Sequence, residues 1–346
     1  MKNVPPAKLA PLALCCLALL VTLPLHANER ADALMKSFDT NGDGKISASE
    51  WLGNRMRFKK IDANGDGFVT PDELEAAFNR LDEGAGPNAG SSEAGAKANA
   101  TEPHKVELGQ VKNVDRMAFI TGRTPKDRLR AVGMQESGLT AVFPQDGGCN
   151  PIDHIFGEKW QGPDKDKLHS GADIPASYGE PVLAMADGMV VAKSDGSGDG
   201  PRKDRGVLIV LQHSPQDSGL LVWSYTLYSH FSKMPELEIG QRVAMGQVLG
   251  PNGRSGVPGV RREAHLHLTA FISESPRYAV VNDTVVPEGG RFIDPIALFR
   301  GRLPMDTALM RELPAEQRVI PAAYKRKSGE TVPADAKLIW PFVCKG

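Results

Sequence analysis

Cysteine is scarce in this chain: four in 346 residues. Two of them, Cys15 and Cys16, lie in the N-terminal segment, which leaves Cys149 and Cys344. Charge of either sign is not in excess, with 41 Lys and Arg against 42 Asp and Glu. No basic surplus points to nucleic acid, and no run of like charge points to a membrane surface. Beyond the first 27 residues no stretch is long or apolar enough to span a bilayer. Between 83 and 105 there is no Val, Ile, Leu, Met, Phe, Trp or Tyr. Such a segment cannot bury enough surface to offset its own ordering and reads as a flexible linker. His-Glu-x-x-His is absent too, which removes the metalloprotease scheme built on a helical Glu base.

The N-terminus is positive (Lys2, Lys8), then apolar from Leu9 to Leu25, then Leu25-His26-Ala27. This is the pattern of a secretory signal peptide (1–27) cleaved after Ala27; an uncleaved anchor is the alternative. The sequence before Cys15 is a poor lipoprotein signal. Export places the protein in the periplasm or outside the cell, with no stable membrane span after cleavage. In that setting an even pair of cysteines predicts a Cys149–Cys344 disulfide, against the alternative of two buried free thiols.

Residues 28–82 contain one motif twice. The first copy provides Asp39, Asn41, Asp43, Lys45, Ser47 and Glu50; the second provides Asp62, Asn64, Asp66, Phe68, Thr70 and Glu73. Side-chain oxygens at loop positions 1, 3, 5 and 9, a backbone carbonyl at 7 (Lys45, Phe68), Gly at 6 and Glu at 12 make an EF-hand calcium loop. Two calcium ions are therefore expected in a small all-α pair. Ser47-x-x-Glu50 and Thr70-x-x-Glu73 double as capping boxes opening the exiting helices. Dockerin-type modules use similar loops at similar spacing, so a protein partner for this module stays open. The linker holds nothing that transmits strain, so calcium is expected to leave the rest of the chain little affected.

Residues 106–148 form a connecting segment without a clear assignment. From 149 to 300, short β-rich runs alternate with glycine and no long amphipathic helix is visible, which predicts a mainly antiparallel β domain, a sandwich or open barrel. Residues 301–346 read as an irregular tail. Within the β domain, Ala264–Ile272 alternates as a strand, with Leu266, Leu268, Ala270 and Ile272 facing a core. His265, His267, Thr269 and Phe271 face the other way. His169 and Asp173, four apart in an extended segment, again share a face, and His230 closes a strand at Tyr228. Two His and one Asp, with a fourth position open to water, is a standard catalytic zinc set.

These residues carry a resemblance. From Phe156 to Ile296 the chain resembles the lysostaphin/LytM-type zinc metalloendopeptidases that cleave peptidoglycan cross-bridges. The matching pieces include His169-x-Gly-x-Asp173, Gly179-Glu180-Pro181-Val182, Tyr228-Ser229-His230-Phe231, Gly240-Gln241-x-Val243, Gly246-Gln247-x-x-Gly250 and His265-Leu266-His267. The resemblance implies a β fold of the duplicated-hybrid-motif type and one catalytic zinc on His169, Asp173 and His267. It also implies His230 and His265 as catalytic histidines and peptidoglycan peptides as substrate. Two departures stand out: Thr269 replaces the family's usual acidic residue two positions after the last histidine, and 254–264 is long and carries Arg254, Arg261, Arg262 and Glu263. The alternative function is a catalytically silent relative that binds cell wall or activates another hydrolase. A cupin-like iron site is disfavoured because Glu274 lies too far from His267.

Overall fold

The structure is a computed structural model and describes residues 27–39, 41–48, 50–51, 55–83, 102–121, 125–159, 168–197, 203–257, 263–281, 284–302 and 305–346. Nearly all of the leader and most of the linker, with Arg261 and Arg262, lie outside the described residues.

The N-terminal module runs α1 (Ala27–Phe38), β1 (Ile46–Ser47), α2 (Arg55–Ile61), β2 (Phe68–Val69) and α3 (Pro71–Glu83). The two loops meet in an antiparallel pair in which Ile46 faces Val69. Both residues are fully buried, beside Phe38, Trp51, Phe58, Leu74 and Phe78. The capping boxes form as the sequence predicts. Ser47 N–H donates to Glu50 (2.9 Å) and Glu50 N–H returns to Ser47 Oγ (3.3 Å); Thr70 and Glu73 repeat the exchange.

The remainder begins with α4 (Arg116–Thr121), α5 (Lys126–Ala131) and β3 (Thr140–Val142), and then enters the sheet region. There follow β4 (Ala172–Pro175), β5 (Pro181–Leu183), β6 (Gly188–Ser194), β7 (Leu208–His213), α6 (Pro215–Ser218) and β8 (Trp223–Ser229). Next come β9 (Arg242–Val243), β10 (Val248–Pro251), β11 (His265–Ser273), β12 (Tyr278–Val281), β13 (Thr284–Pro287) and β14 (Arg291–Ile293). The chain closes with α7 (Pro295–Leu298), α8 (Thr307–Arg311), β15 (Val319–Pro321), β16 (Tyr324–Arg326), β17 (Thr331–Val332) and β18 (Val343–Cys344). The main sheet is antiparallel in the order β14-β11-β8-β7-β6-β9, with β4 on the other half of β11.

That sheet is covered on both faces, which the alternating pattern of β11 did not announce. Leu266, Leu268 and Ala270 enter one apolar cluster with Ile209 and Leu211. Phe271, Leu227 and Val210 enter a second with Phe119, Leu129 and Met134. The segment 106–148 is thus a packed layer rather than a connector. Its helices are only six residues each, too short to show a helical period clearly.

The reading of 301–346 as irregular is also corrected. β15 pairs in parallel with β3, and β16 lies between β17 and β18. Ile339 N–H donates to Met185 O (2.7 Å) and Leu183 N–H to Pro341 O (2.8 Å), so the tail docks on β5. Tyr324, Trp340 and Phe342 are fully buried. Strands of two or three residues carry no alternation to read, and their partners come from far away in the chain. Cys149 and Cys344 are bonded across 195 residues, with α-carbons 4.4 Å apart.

Module and β domain also touch directly. Leu221 packs against the module's apolar core, while Leu220 and Val222 on either side are rooted in the core of the β domain. Packing at Leu221 therefore joins the two units in addition to the chain between them.

Candidate metal centre

Three segments make the site. β4 pairs with the first half of β11, placing Asp173 opposite His267 and Pro175 opposite His265. On its other side β11 pairs with β8, so His267 also faces Ser229, the residue before His230. Gly171 lets the turn from His169 to Asp173 lie flat against β11, since a Cβ there would sit 2.3 Å from Leu268 O and 2.9 Å from His267 Nε2. All five sequence-predicted residues of the centre are thereby brought together and buried.

His169 Nε2, Asp173 Oδ1 and His267 Nδ1 form a triangle with edges of 3.1, 3.1 and 2.8 Å. Among the described residues this is the one cluster of three potential metal-binding side chains found. Tetrahedral zinc with ligands at about 2.0–2.2 Å needs donors roughly 3.3–3.5 Å apart, so the triangle is slightly tight and a small opening admits the ion. The donor set, two imidazoles and a carboxylate, suits zinc.

The outer contacts select the nitrogens. A carbonyl oxygen only accepts, so His169 Nδ1–H donates to Ile155 O (2.9 Å) and Nε2 is left bare toward the centre. His267 Nε2 meets Thr269 Oγ1 at 3.1 Å and Ser170 Oγ at 3.4 Å, which leaves Nδ1 for the centre. Thr269 therefore occupies the outer-shell place where the resemblance expects an acidic residue. Burial opposes charge on His169, but its bond to Asp173 lifts it above its ordinary range. Burial pushes His267 down to about 4 despite the same carboxylate. Burial would raise Asp173, yet the hydrogen bonds from both histidines hold it far below the usual carboxylate range.

His230 and His265 lie beside the triangle with ring centres 4.8 Å apart. Each is anchored by Nδ1–H on a backbone carbonyl, Ser255 O at 2.7 Å for His230 and Glu263 O at 3.0 Å for His265. Nε2 is left bare on both. His265 Nε2 is 3.7 Å from Asp173 Oδ2. His230 adopts a left-handed backbone with φ of 72°. A non-glycine residue there costs of order 1–3 kcal/mol, a strain that clusters at functional sites. Burial, then the neighbouring His267 and His265, push it down to about 3, so it is neutral at pH 7.

Three residues near the centre escaped the sequence reading. Arg205 follows the glycine- and aspartate-rich insertion yet is only 5% exposed. Its carbonyl accepts from His230 N–H (3.3 Å), and its charge adds to the forces keeping His267 neutral. Asn252 donates to Ala176 O (3.0 Å) and Ser177 O (3.2 Å), tying the end of β10 to the turn after β4. Ser170, at an unspecified position of His169-x-Gly-x-Asp173, lies beside His267, Oγ to Nε2 3.4 Å. No spacing signal marks Arg205 or Asn252. His213, by contrast, is structural: fully buried, bonded to Asp187 O (2.6 Å) and Thr226 Oγ1 (2.7 Å), and held neutral mainly by burial.

The EF-hand loops offer only oxygen around their turns. Asp39 accepts from Gly42, Asp43 and Gly44 N–H, and Asp62 from Asp66 and Gly67 N–H. Gly44 and Gly67, at position 6, take φ of 81° and 85°, which the sharp turn requires. An all-oxygen donor set in a loop of this kind fits a hard cation.

The family matches fall on the two parts of the chain described above. Residues 167–277 match the family model for peptidase family M23, and residues 31–52 and 56–79 match that for the EF hand. The chain carries a peptidase M23 region behind an EF-hand pair. Among solved structures, the catalytic domain of lysostaphin from Staphylococcus simulans is 24% identical, covering 40% of this chain and 88% of that one, with a TM-score of 0.29. A zinc-containing peptidase from Vibrio cholerae is 24% identical over 40% of this chain and 38% of that one, TM-score 0.29. The catalytic domain of the prophage-encoded M23 protein EnpA of Enterococcus faecalis, as a point mutant, is 20% identical over 43% of this chain and 95% of that one, TM-score 0.28. Among curated proteins, a transaldolase of Thermosynechococcus vestitus is 46% identical over 48 residues, 14% of this chain and 12% of that one. So short a match says nothing about the activity of this protein.

Proposed function

We propose that this protein is an exported zinc endopeptidase that hydrolyses peptide bonds in peptidoglycan cross-links, with two calcium ions in its N-terminal module. The observation that carries this reading is the triangle of His169, Asp173 and His267 with two bare imidazole nitrogens beside it. Zinc in such a site polarises a peptide carbonyl and brings the pKa of a bound water toward about 7. His230, neutral and backed by a carbonyl, is suited to take a proton at Nε2. His265, with Nε2 next to Asp173, is suited to hold one and deliver it to the leaving amine or to the developing oxyanion. His230, with its left-handed backbone, holds its ring 4.8 Å from that of His265 and 5.8 Å from that of His267 on β11.

Export is supported by the charged and apolar N-terminal segment and by a disulfide that suits an oxidising compartment. No helix among the described residues is long and apolar enough to cross a membrane. The peptidoglycan substrate is supported by the family match. The deciding experiment incubates purified sacculi and soluble cross-linked muropeptides with the protein, then with protein stripped by chelator and reloaded with zinc. New amine termini that vanish on stripping and return on reloading are expected. Zinc-loaded protein that leaves both substrates intact would favour the silent cell-wall-binding alternative.

A further inference from the structure

The apolar face of the EF-hand pair does not look into solvent. Together with the β domain it borders a half-open cleft of ≈ 940 Å³, lined on one side by Trp51, Ile61 and Phe78 and on the other by Leu221, Trp223 and Ile272. Leu221 itself is half-buried against the module's core. Its position is unusual, because Leu220 and Val222 are only 3% and 5% exposed and belong to the β domain's core. The segment is pinned on both sides and holds its middle residue out toward the module. EF-hand pairs that respond to calcium change their interhelical angle and expose an apolar groove that takes hydrophobic anchors. Here the anchor belongs to the same chain.

We infer that the EF-hand pair is a calcium-dependent latch whose target is the Leu220–Trp223 segment of its own β domain. In this arrangement, calcium loading opens the module onto Leu221 and the shared cleft contracts. The seat lies where β8 begins, at Trp223, and where β11 ends, at Ile272 and Ser273. His230 follows the last residue of β8, and His265 and His267 open β11. Latch and metal centre therefore sit at opposite ends of the same two strands, roughly 20 Å apart at about 3.4 Å per residue. The latch clamps the strands that present the histidines without covering the cleft. This inference stands apart from the peptidase reading, since it needs neither zinc nor substrate.

Hydrogen exchange on the full-length chain, read by mass spectrometry with calcium and with a calcium chelator, tests it. Calcium should slow exchange about tenfold in the module and also at 220–224 and 272–275. In Leu221→Asp, calcium should still protect the module's Ile46 and Val69, while protection at 220–224 is lost. Because Leu221 is only half-buried, this variant should fold; circular dichroism verifies that, and Leu221→Ala, which shortens the anchor without adding charge, should lose most of the same protection. Calcium protection confined to 27–83 in the wild type would overturn the inference. So would unchanged calcium protection at 220–224 in both variants, or no calcium effect anywhere.

Discussion

Replacing Thr269 by Val removes one hydroxyl from a fully buried position and leaves the shape of the side chain almost unchanged. The hydroxyl sits 3.1 Å from His267 Nε2, the nitrogen turned away from the metal centre. Without it, that N–H keeps only Ser170 Oγ at 3.4 Å, a longer contact from an adjacent turn. An underserved buried donor costs about 1–3 kcal/mol. At about 1.4 kcal/mol per factor of ten this is roughly 5- to 150-fold in affinity, in line with the ~10–100-fold lost when outer partners of metal ligands are removed. The loss should appear as weaker zinc binding in competition with a chromogenic chelator. Without zinc, His267 can carry its proton on Nδ1 toward Asp173 Oδ1 (2.8 Å) and leave Nε2 bare, so the melting temperature of the zinc-free protein should move little. Thr269→Glu, which installs an acidic partner, should hold zinc at least as tightly as the wild type. Wild-type zinc affinity in Thr269→Val, within about twofold, would refute the idea that Thr269 orients His267.

Four further outcomes are expected. His267→Ala removes one of three ligands and should lose its zinc on dialysis, whereas His265→Ala should keep zinc while turnover falls ~10²–10⁴-fold; metal analysis beside muropeptide digestion separates the two. Cys149→Ser should lower stability by about 2–5 kcal/mol in denaturant titration, because the bond closes a long loop and pins the docked tail. Burial pushes Asp294 up to about 6, opposed by its bonds to Ser137 Oγ and Ile296 N–H. Its contribution to stability is full below about pH 3.9, its unfolded value, and is lost as pH rises through about 6. Asp294→Asn should therefore show a flatter stability profile between pH 4 and 6. Calcium should bind the full chain with Kd about 10⁻⁴–10⁻³ M or tighter, read by calorimetry, and Glu50→Gln with Glu73→Gln should abolish it.

The sequence by itself determined what depends on local pattern. Twelve-residue loops with oxygen at fixed offsets, a Gly at the turn and a Glu that also caps the next helix specify their conformation within the loop, and Ser47–Glu50 and Thr70–Glu73 pair as the spacing demands. The period of two in Ala264–Ile272 likewise set His265 and His267 on one face, because side chains in any strand alternate. Tertiary structure decided everything that rests on distant partners. Two imidazoles become a metal centre only because β4 pairs with β11 and places Asp173 opposite His267, 94 residues later. Burial of the second sheet face, partly the work of 106–148, is invisible in helices of six residues. The tail reads as irregular because strands of two or three residues have no period, and they form only where β3, β5 and Cys149 wait for them. Arg205 is buried by the fold around it, and no local pattern marks it. The seat of Leu221 against the module was beyond sequence reasoning for the same reason: a contact between two units leaves no periodic trace in either.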